Sequence, residues 1–457
     1  MTRVGLHHGG AWDDRTVRRV LGVEPLQVEP REAPVLTVDG QIEPDASAWL
    51  RHVTSRSFRP HGTSTPLTRA QSLRNLLQWL TERNSSLRGA TNEQIRDYLL
   101  SRIDGRGRVS GNTLANDRTA IKQFYEWLLE ERDISLPITI DLLKGSRGVV
   151  SSMREGRGIA KASAAATPLE PPQVDELMAA AIKYGANRAP NGTYTGMRDA
   201  AFIALGAACG GRAKMLTHLT TYEIPPAPTR RSRQPEEGDL ISMRLPAALS
   251  KVNREVILPA FRRRLDVVRQ FIDPERGARR FQIGRWRPAD PINIAEEPTK
   301  HFRGIVDTDG VHRPFNTMSA DVRRRLIKPS GEPAMIFLTA HNGRPLTLAT
   351  AREITGDVSV MAEANARDRG ETFPHVHTHD LRGTYATHLA ALFYLGIPTS
   401  DGVDLHGRPH RVSIESAVKM ASVGLGHIDA ATTALYTQQV GIIALRYKID
   451  DLLGRRN

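Results

Sequence analysis

Leu73-Arg74-Asn75-Leu76-Leu77-Gln78-Trp79-Leu80 places leucine at i, i+3, i+4 and i+7, a spacing that lines one face of an α-helix and scatters over both faces of a strand. Toward the C-terminus, Thr91 and Gln94 form a capping box, each side chain meeting the other residue's free backbone amide, ahead of a helix carrying Ile95, Tyr98 and Leu99. Beyond the turn signal Ser110-Gly111-Asn112, the residues Ile121, Phe124, Tyr125 and Leu128 repeat the stripe. About three or four such helices make a small bundle, expected over residues 61–144. Toward the N-terminus, residues 1–60 mix prolines, acids and arginines with little period and read as an irregular arm, apart from a short helix around Ala48-Trp49-Leu50.

Residues 145–167 are rich in Gly, Ser, Ala and Arg without an apolar face, as expected of a basic interdomain linker. A second domain, 168–457, opens at Pro168-Leu169-Glu170-Pro171-Pro172, a helix entry before Val174, Leu177, Met178 and Ala181. Its next helix runs from Asp199 to Cys209. Leu240–Leu245 and Glu255–Leu258 flank a turn holding Lys251-Val252-Asn253-Arg254, the signal of a β-hairpin. Further helices are expected near 345–366, 380–394, 414–423, 429–436 and 440–453. The fold class read this way is mainly α with a small β-hairpin or sheet: an N-terminal helical bundle and an α+β C-terminal domain.

At 457 residues the chain has room for about two or three domains. Its 63 Lys+Arg against 50 Asp+Glu give a net charge of +13 and a pI near 10.1, which makes nucleic acid the first partner to consider. Only ten of the 63 are lysine. Arginine grips phosphate bidentately, although genomic base composition accounts for the bias equally well. The single cysteine, Cys209, sits in the apolar run Ala200–Cys209 and reads as a buried helix residue, excluding disulfide scaffolding and cysteine zinc sites. That run is too short to span a bilayer, and Met1–Trp12 has no apolar signal core. The expected setting is a reducing cytoplasm, without membrane association.

Two motifs offer phosphate chemistry. Gly424-Leu425-Gly426-His427 precedes Tyr436 in Thr432-Thr433-Ala434-Leu435-Tyr436-Thr437, pairing a histidine able to hold a phosphate oxygen with a phenol able to attack phosphorus. His379-Asp380-Leu381-Arg382 is an H-x-x-R; with 15 histidines in an arginine-rich chain, chance alone supplies roughly two such spacings. Its value is geometric, because residues i and i+3 at a helix start share a face with the free N-terminal amides and can address one phosphate together. The run His375-Val376-His377-Thr378-His379-Asp380 admits a rival reading as zinc ligands, similar to the H-x-H-x-D-H of metallohydrolases with its last two residues exchanged. No second downstream ligand set accompanies it, and the same run reads as a strand or loop entering a helix. His7-His8 reads as a solvated terminus.

Taken in order, four segments resemble the catalytic boxes of the tyrosine recombinase (phage integrase) family. They are Gly210-Gly211-Arg212 closing an apolar helix; Lys251-Val252-Asn253-Arg254-Glu255-Val256-Ile257-Leu258-Pro259 on a hairpin; His379-Asp380-Leu381-Arg382-Gly383-Thr384-Tyr385-Ala386-Thr387-His388-Leu389; and Leu425-Gly426-His427 to Tyr436. The helical segment 64–132 is similar to that family's core-binding domain. Departures are Met215, where an acidic residue is common, and Gly383, where His or Arg is frequent. Segments 225–239, 273–335 and 396–412 are longer than a minimal member needs and read as insertions.

The resemblance implies a site-specific recombinase with catalytic residues Arg212, Lys251, His379, Arg382, His427 and the nucleophile Tyr436. The two arginines clamp the phosphate, His379 accepts the phenol proton, His427 donates a hydrogen bond to the phosphate, and Lys251 protonates the departing 5′ oxygen. It further implies a 3′-phosphotyrosyl intermediate, no metal or nucleotide cofactor, two domains clamping duplex DNA that carries a specific site, a homo-tetramer in the synaptic complex, and room for accessory DNA-binding proteins. The tail Gly441–Leu453, with Ile442, Ile443, Leu445, Ile449 and Leu452, is expected either to dock on a neighbouring protomer or to pack on its own domain. A type IB topoisomerase, a noncatalytic DNA-binding regulator on the same scaffold, and a zinc hydrolase remain as alternatives.

Overall fold

The computed structural model of the chain describes residues 3–7, 19, 33–55, 64–104, 108–133, 137–145, 148–156, 168–186, 192–227, 240–250, 253–275, 286–396, 412–425 and 439–454. The chain divides into two compact units, Met1–Ala164 and Ala165–Asn457, both mainly helical with small sheets.

In the first unit the periodic stretches form helices α2 (Ser64–Thr81), α3 (Asn92–Asp104) and α4 (Gly111–Arg132). The stripes meet in one core: Leu73, Leu76, Leu77, Leu80, Ile95, Tyr98, Leu99, Ile121, Phe124, Tyr125 and Leu128 are all buried. The capping box at the start of α3 is made, Gln94 N to Thr91 Oγ1 at 3.2 Å and Thr91 N to Gln94 Oε1 at 3.0 Å. Ser110 caps α4 by accepting from Thr113 N at 3.2 Å.

Residues 1–60, expected as an irregular arm apart from a short helix around Ala48-Trp49-Leu50, contribute a three-stranded antiparallel sheet as well as that helix. The strands are β1 (Val4–His7), β2 (Val35–Val38) and β3 (Gln41–Ile42), and the helix is α1 (Pro44–Ser55). Strands of two to four residues are too short to display an alternation, which is why composition dominated their reading. Val4, Leu36, Ala46, Trp49 and Leu50 join the same core, and Arg88 ion-pairs with Asp45 at the start of α1. His7 is likewise placed, its Nε2 lying 3.2 Å from Thr37 Oγ1. The expected linker also begins with order: β4 (Ile140–Gly145) and β5 (Gly148–Met153) form an antiparallel hairpin. Arg118 on α4 holds it by donating to the Met153 carbonyl at 2.6 Å and the Glu155 carbonyl at 2.8 Å.

The second unit is built on α5 (Pro171–Ala186) and α6 (Gly192–Cys209), which pack on each other and on α11 (Thr378–Leu395) and α10 (Leu348–Asp368). Between α6 and α10 lie α7 (Ala213–Thr217), the antiparallel hairpin β6 (Leu240–Leu245) and β7 (Val256–Phe261), and α8 (Arg262–Gln270). The first strand has the bounds read from sequence, and the second, read as Glu255–Leu258, runs on to Phe261.

The expected insertion 273–335 holds a small domain-like lobe: β8 (Ile292–Glu296), β9 (Gly304–Asp307), β10 (His312–Pro314), α9 (Ala320–Arg324) and β11 (Leu326–Ile327). Its sheet runs β10-β9-β8-β11 over a core of Ile292, Ile294, Ile305, Phe315, Met318, Leu326 and Ala334. The lobe is fastened by Arg323, which is fully buried, bonded to Glu223 Oε2 at 2.6 Å and to the Met318, His218 and Phe315 carbonyls.

Helix α12 (Ile414–Leu425) follows, then a helix over 439–446 (α13) and α14 (Ile449–Leu453). Much of this tail packs on its own unit, in place of a wholly free docking helix. Val440, Ile443, Leu452 and Leu453 enter the unit's core, and Tyr447 donates to Glu170 at 2.5 Å. Leu445 is 89% exposed.

Candidate active site

Helix α6 ends where Gly210 takes φ +61°, a left-handed conformation that glycine adopts without steric cost. Its amide still closes the helix on Gly206 O at 2.9 Å, while its own carbonyl accepts from Arg382 Nη1 at 2.6 Å. Close approach of α11 makes this contact feasible: a Cβ at Gly206 would meet Leu381 Cδ1 at 2.8 Å. Arg382 is only 3% exposed, so its guanidinium is taken from water and held by backbone. The Gly-Gly pair ahead of Arg212 was the sequence signal for this termination, but nothing in it pointed to the carbonyl as the partner of Arg382.

Arg212 stands at the N-cap of α7, its carbonyl accepting from Met215 N at 2.7 Å and Leu216 N at 3.0 Å. Its side chain is half-buried, and burial lowers its pKa from the ordinary value. Met215 is a core residue, 2% exposed, which accounts for the apolar side chain at that position.

His379 is the second residue of α11 and is exposed. Desolvation by the surrounding protein lowers its pKa first, the charges of Arg382 and Arg212 lower it further, and Asp380 opposes them. The two arginines and the histidine therefore share one electrostatic neighbourhood, and the imidazole is held neutral near pH 7. Asp380 accepts from the His377 amide at 2.7 Å and completes the helix start.

Lys251, His427 and Tyr436 lie outside the described residues. By sequence Lys251 falls between β6 and β7, and His427 and Tyr436 fall between α12 and the helix 439–446.

Behind the arginines the scaffold is tied together by polar bonds. Tyr385 on α11 donates to the Pro259 carbonyl of β7 at 2.7 Å, joining the H-x-x-R helix to the lysine-box hairpin. His388 accepts at Nδ1 from Arg264 Nη2 at 2.9 Å, so its Nε2–H donates to Leu169 O at 2.8 Å. Burial and the Arg264 charge push His388 well below its usual range, keeping it neutral. Cys209 is fully buried, with its thiol pushed up to about 12 by burial, which removes it as a nucleophile.

The histidine run does not gather on one ion. His375 Nδ1 pairs with Glu363 at 2.7 Å, and His377 packs its ring edge-on against His375 at 4.8 Å between centroids. Among the described residues, no group of three or more His, Cys, Asp or Glu is placed to hold a metal. Nor is any helix among them long and apolar enough to cross a membrane.

Comparison with known proteins gives one sequence match: residues 49–132 fit the family described as phage integrase, N-terminal SAM-like domain. No curated protein matches the chain by sequence. Among solved structures, the XerH site-specific recombinase bound to palindromic difH substrate in a post-cleavage complex is 13% identical. The match covers 86% of this chain and 81% of that one, with a TM-score of 0.47. The Tn1549 transposon integrase with circular intermediate DNA is 14% identical, covering 87% and 99%, with a TM-score of 0.40. XerA recombinase is 14% identical, covering 88% and 99%, with a TM-score of 0.30. The span of the sequence match starts at Trp49, inside α1, and ends with α4, so it coincides with the helical core of the first unit. The match assigns residues 49–132 to that SAM-like domain, which belongs to the family that the C-terminal motifs resemble.

Proposed function

We propose that this chain is a site-specific DNA recombinase that cuts and rejoins duplex DNA through a covalent 3′-phosphotyrosyl intermediate. The observation that carries the reading is the junction of α6 and α11, where a buried Arg382, a half-buried Arg212 and a neutral His379 share one field. Transfer of a phosphodiester to a phenol builds negative charge on the nonbridging oxygens, and fixed guanidinium groups aimed there lower the barrier. A guanidinium already bonded to Gly210 O loses little freedom when it meets the phosphate.

In the proposed reaction the Tyr436 oxygen attacks phosphorus, the P–O5′ bond breaks, and the products are a 3′-phosphotyrosyl link and a 5′-hydroxyl. The phenol proton passes to His379, whose lowered pKa leaves it unprotonated and able to accept. Lys251 supplies a proton to the 5′ oxygen, and His427 donates to a nonbridging oxygen. The bond energy is kept in the new ester, so a 5′-hydroxyl from another strand can reverse the step. Four protomers acting on two sites, with or without accessory proteins, belong to the same proposal.

The test uses the full chain and nicked duplexes tiled from the DNA flanking its own coding region. Wild type is expected to trap a covalent adduct on the duplex that carries its site, and Tyr436→Phe to trap none. An adduct that persists in the variant would sink the nucleophile assignment.

A further inference from the structure

The lobe over residues 286–335 meets the body of the second unit at a place where cations gather. Arg323 donates to the His218 carbonyl at 3.2 Å, seating α9 against the end of α7. His218 is buried and bonded through Nδ1 to the Lys214 carbonyl at 2.7 Å and to Thr217 Oγ1 at 3.0 Å. It is neutral, its pKa pushed down to about 4 by burial and then by the charges of Arg324, Lys214 and Arg323.

The next residue, Arg324, is half-buried and fixed by backbone: Nη1 donates to Leu346 O at 2.7 Å and Nη2 to Pro345 O at 3.1 Å. Those carbonyls adjoin Arg344; burial lowers the pKa of Arg324 first, the charge of Arg344 lowers it further, and Asp321 opposes them. Lys214 and Arg344 are exposed, and among the described residues neither forms an ion pair. The chain then enters α10, whose first turn is capped by Thr347 accepting from Thr350 N at 3.1 Å, and α10 packs on α7.

Gathering like charges, one of them desolvated, works against folding unless an anion offsets them. Arg324 adds direction, because carbonyl bonds hold its guanidinium rigid where exposed arginines sweep freely. The acid that faces the cluster, Asp321, lies on α9 and is exposed, so it leaves an excess of positive charge.

We propose that Lys214, Arg324 and Arg344 hold a backbone phosphate of duplex DNA at a position other than the cleaved one, so that the junction of lobe and body adds a clamp of its own. The inference rests on the DNA-cutting function proposed above. Such a contact carries no sequence information and fixes register. Lys214 lies on the short helix that starts at Arg212, so a phosphate held there would fix the DNA relative to that arginine.

The experiment measures duplex affinity of the full chain against KCl for wild type, Lys214→Ala/Arg344→Ala and Arg344→Lys. Each neutralised phosphate contributes about 0.9 to the slope of log K on log salt. The double alanine variant is expected to lose about one unit of slope and to weaken alike on every duplex sequence, while Arg344→Lys keeps the slope. Both altered side chains are exposed, so folding is not at stake.

An unchanged slope in the double variant would overturn the clamp and leave the recombinase reading standing. Failure of wild type to bind duplex at all would overturn both. A parallel arm uses inorganic phosphate as probe: if it stabilises wild type but not the double variant while the DNA slope is unchanged, the cluster is an anion site unrelated to DNA and the clamp is refuted.

Discussion

Among the described residues the first unit buries one arginine, Arg51, with Asp45, Asp117 and Glu155 around a core of hydrocarbon and aromatic rings, whereas the second buries several arginines. Its core region encloses Arg323, Arg382, Arg264, Arg198 and His388, each bonded to carbonyls, a carboxylate or a ring nitrogen. The difference teaches that the two units use different means of specifying position. Area burial in the first is nondirectional and tolerant. Buried guanidinium groups in the second are directional and costly to leave unpaired, which suits a unit that must hold cations at fixed points.

The contrast can be broken most strongly at Arg323. Arg323→Ala leaves Glu223 buried without its partner and is expected to cost about 4 kcal/mol, read as denaturant unfolding of the full chain, with hydrogen exchange locating the loss in the second unit. Equal loss in both units would contradict the division. Leu76→Ala in the first unit removes packing only. A penalty of about 3 kcal/mol is expected there, with the amides of α2–α4 losing protection and those of the lobe unaffected.

A subtler difference lies at Glu43, which the first unit buries beside Asp45; burial raises its pKa from 4.5 to about 7. A raised folded pKa means that the protonated form is favoured by folding. Stability of the first unit is therefore greatest below pH 4.5 as far as this group decides, and falls as pH rises toward and through about 7. Glu43→Gln is expected to flatten that fall by up to about 2 kcal/mol, allowing for partial solvent access. A melting-temperature profile from pH 5 to 8 that is identical in the two proteins would refute the role of Glu43. The smallest effect is Tyr385→Phe, which forfeits the bond to Pro259 O; about 1 kcal/mol is expected in unfolding. If stability is unchanged, the tie between α11 and the hairpin is not the constraint described.

Sequence legibility follows the same divide. The stripes on α2, α3 and α4 were legible because their inward positions, apart from Ser72 and Asp117, are apolar and repeat at helical spacing. The strands in residues 1–60 are too short to show a period. The lobe was read as an aperiodic insertion because its central residue, Arg323, is a cation that pattern reading assigns to the surface.

At the candidate site, the spacing of His379 and Arg382 put both near the start of one helix and the Gly-Gly pair marked the end of α6, while the choice of His379, Arg382 and Arg212 as site residues came from the family resemblance. The Gly210 carbonyl, the Arg264–His388 bond and the Tyr385 tie were not legible, since each joins residues 100 or more positions apart, and no local pattern encodes such a meeting.

The central claim is a phosphodiester transferred to one phenol, and its most direct test is the identity of the modified residue. Adduct trapped on a nicked duplex carrying the recombination site would be digested with nuclease and protease, and the peptides analysed by mass spectrometry. The account predicts a nucleotide mass on the peptide containing Tyr436, joined through a 3′ phosphate. Attachment to any other residue, or through a 5′ phosphate, would contradict it.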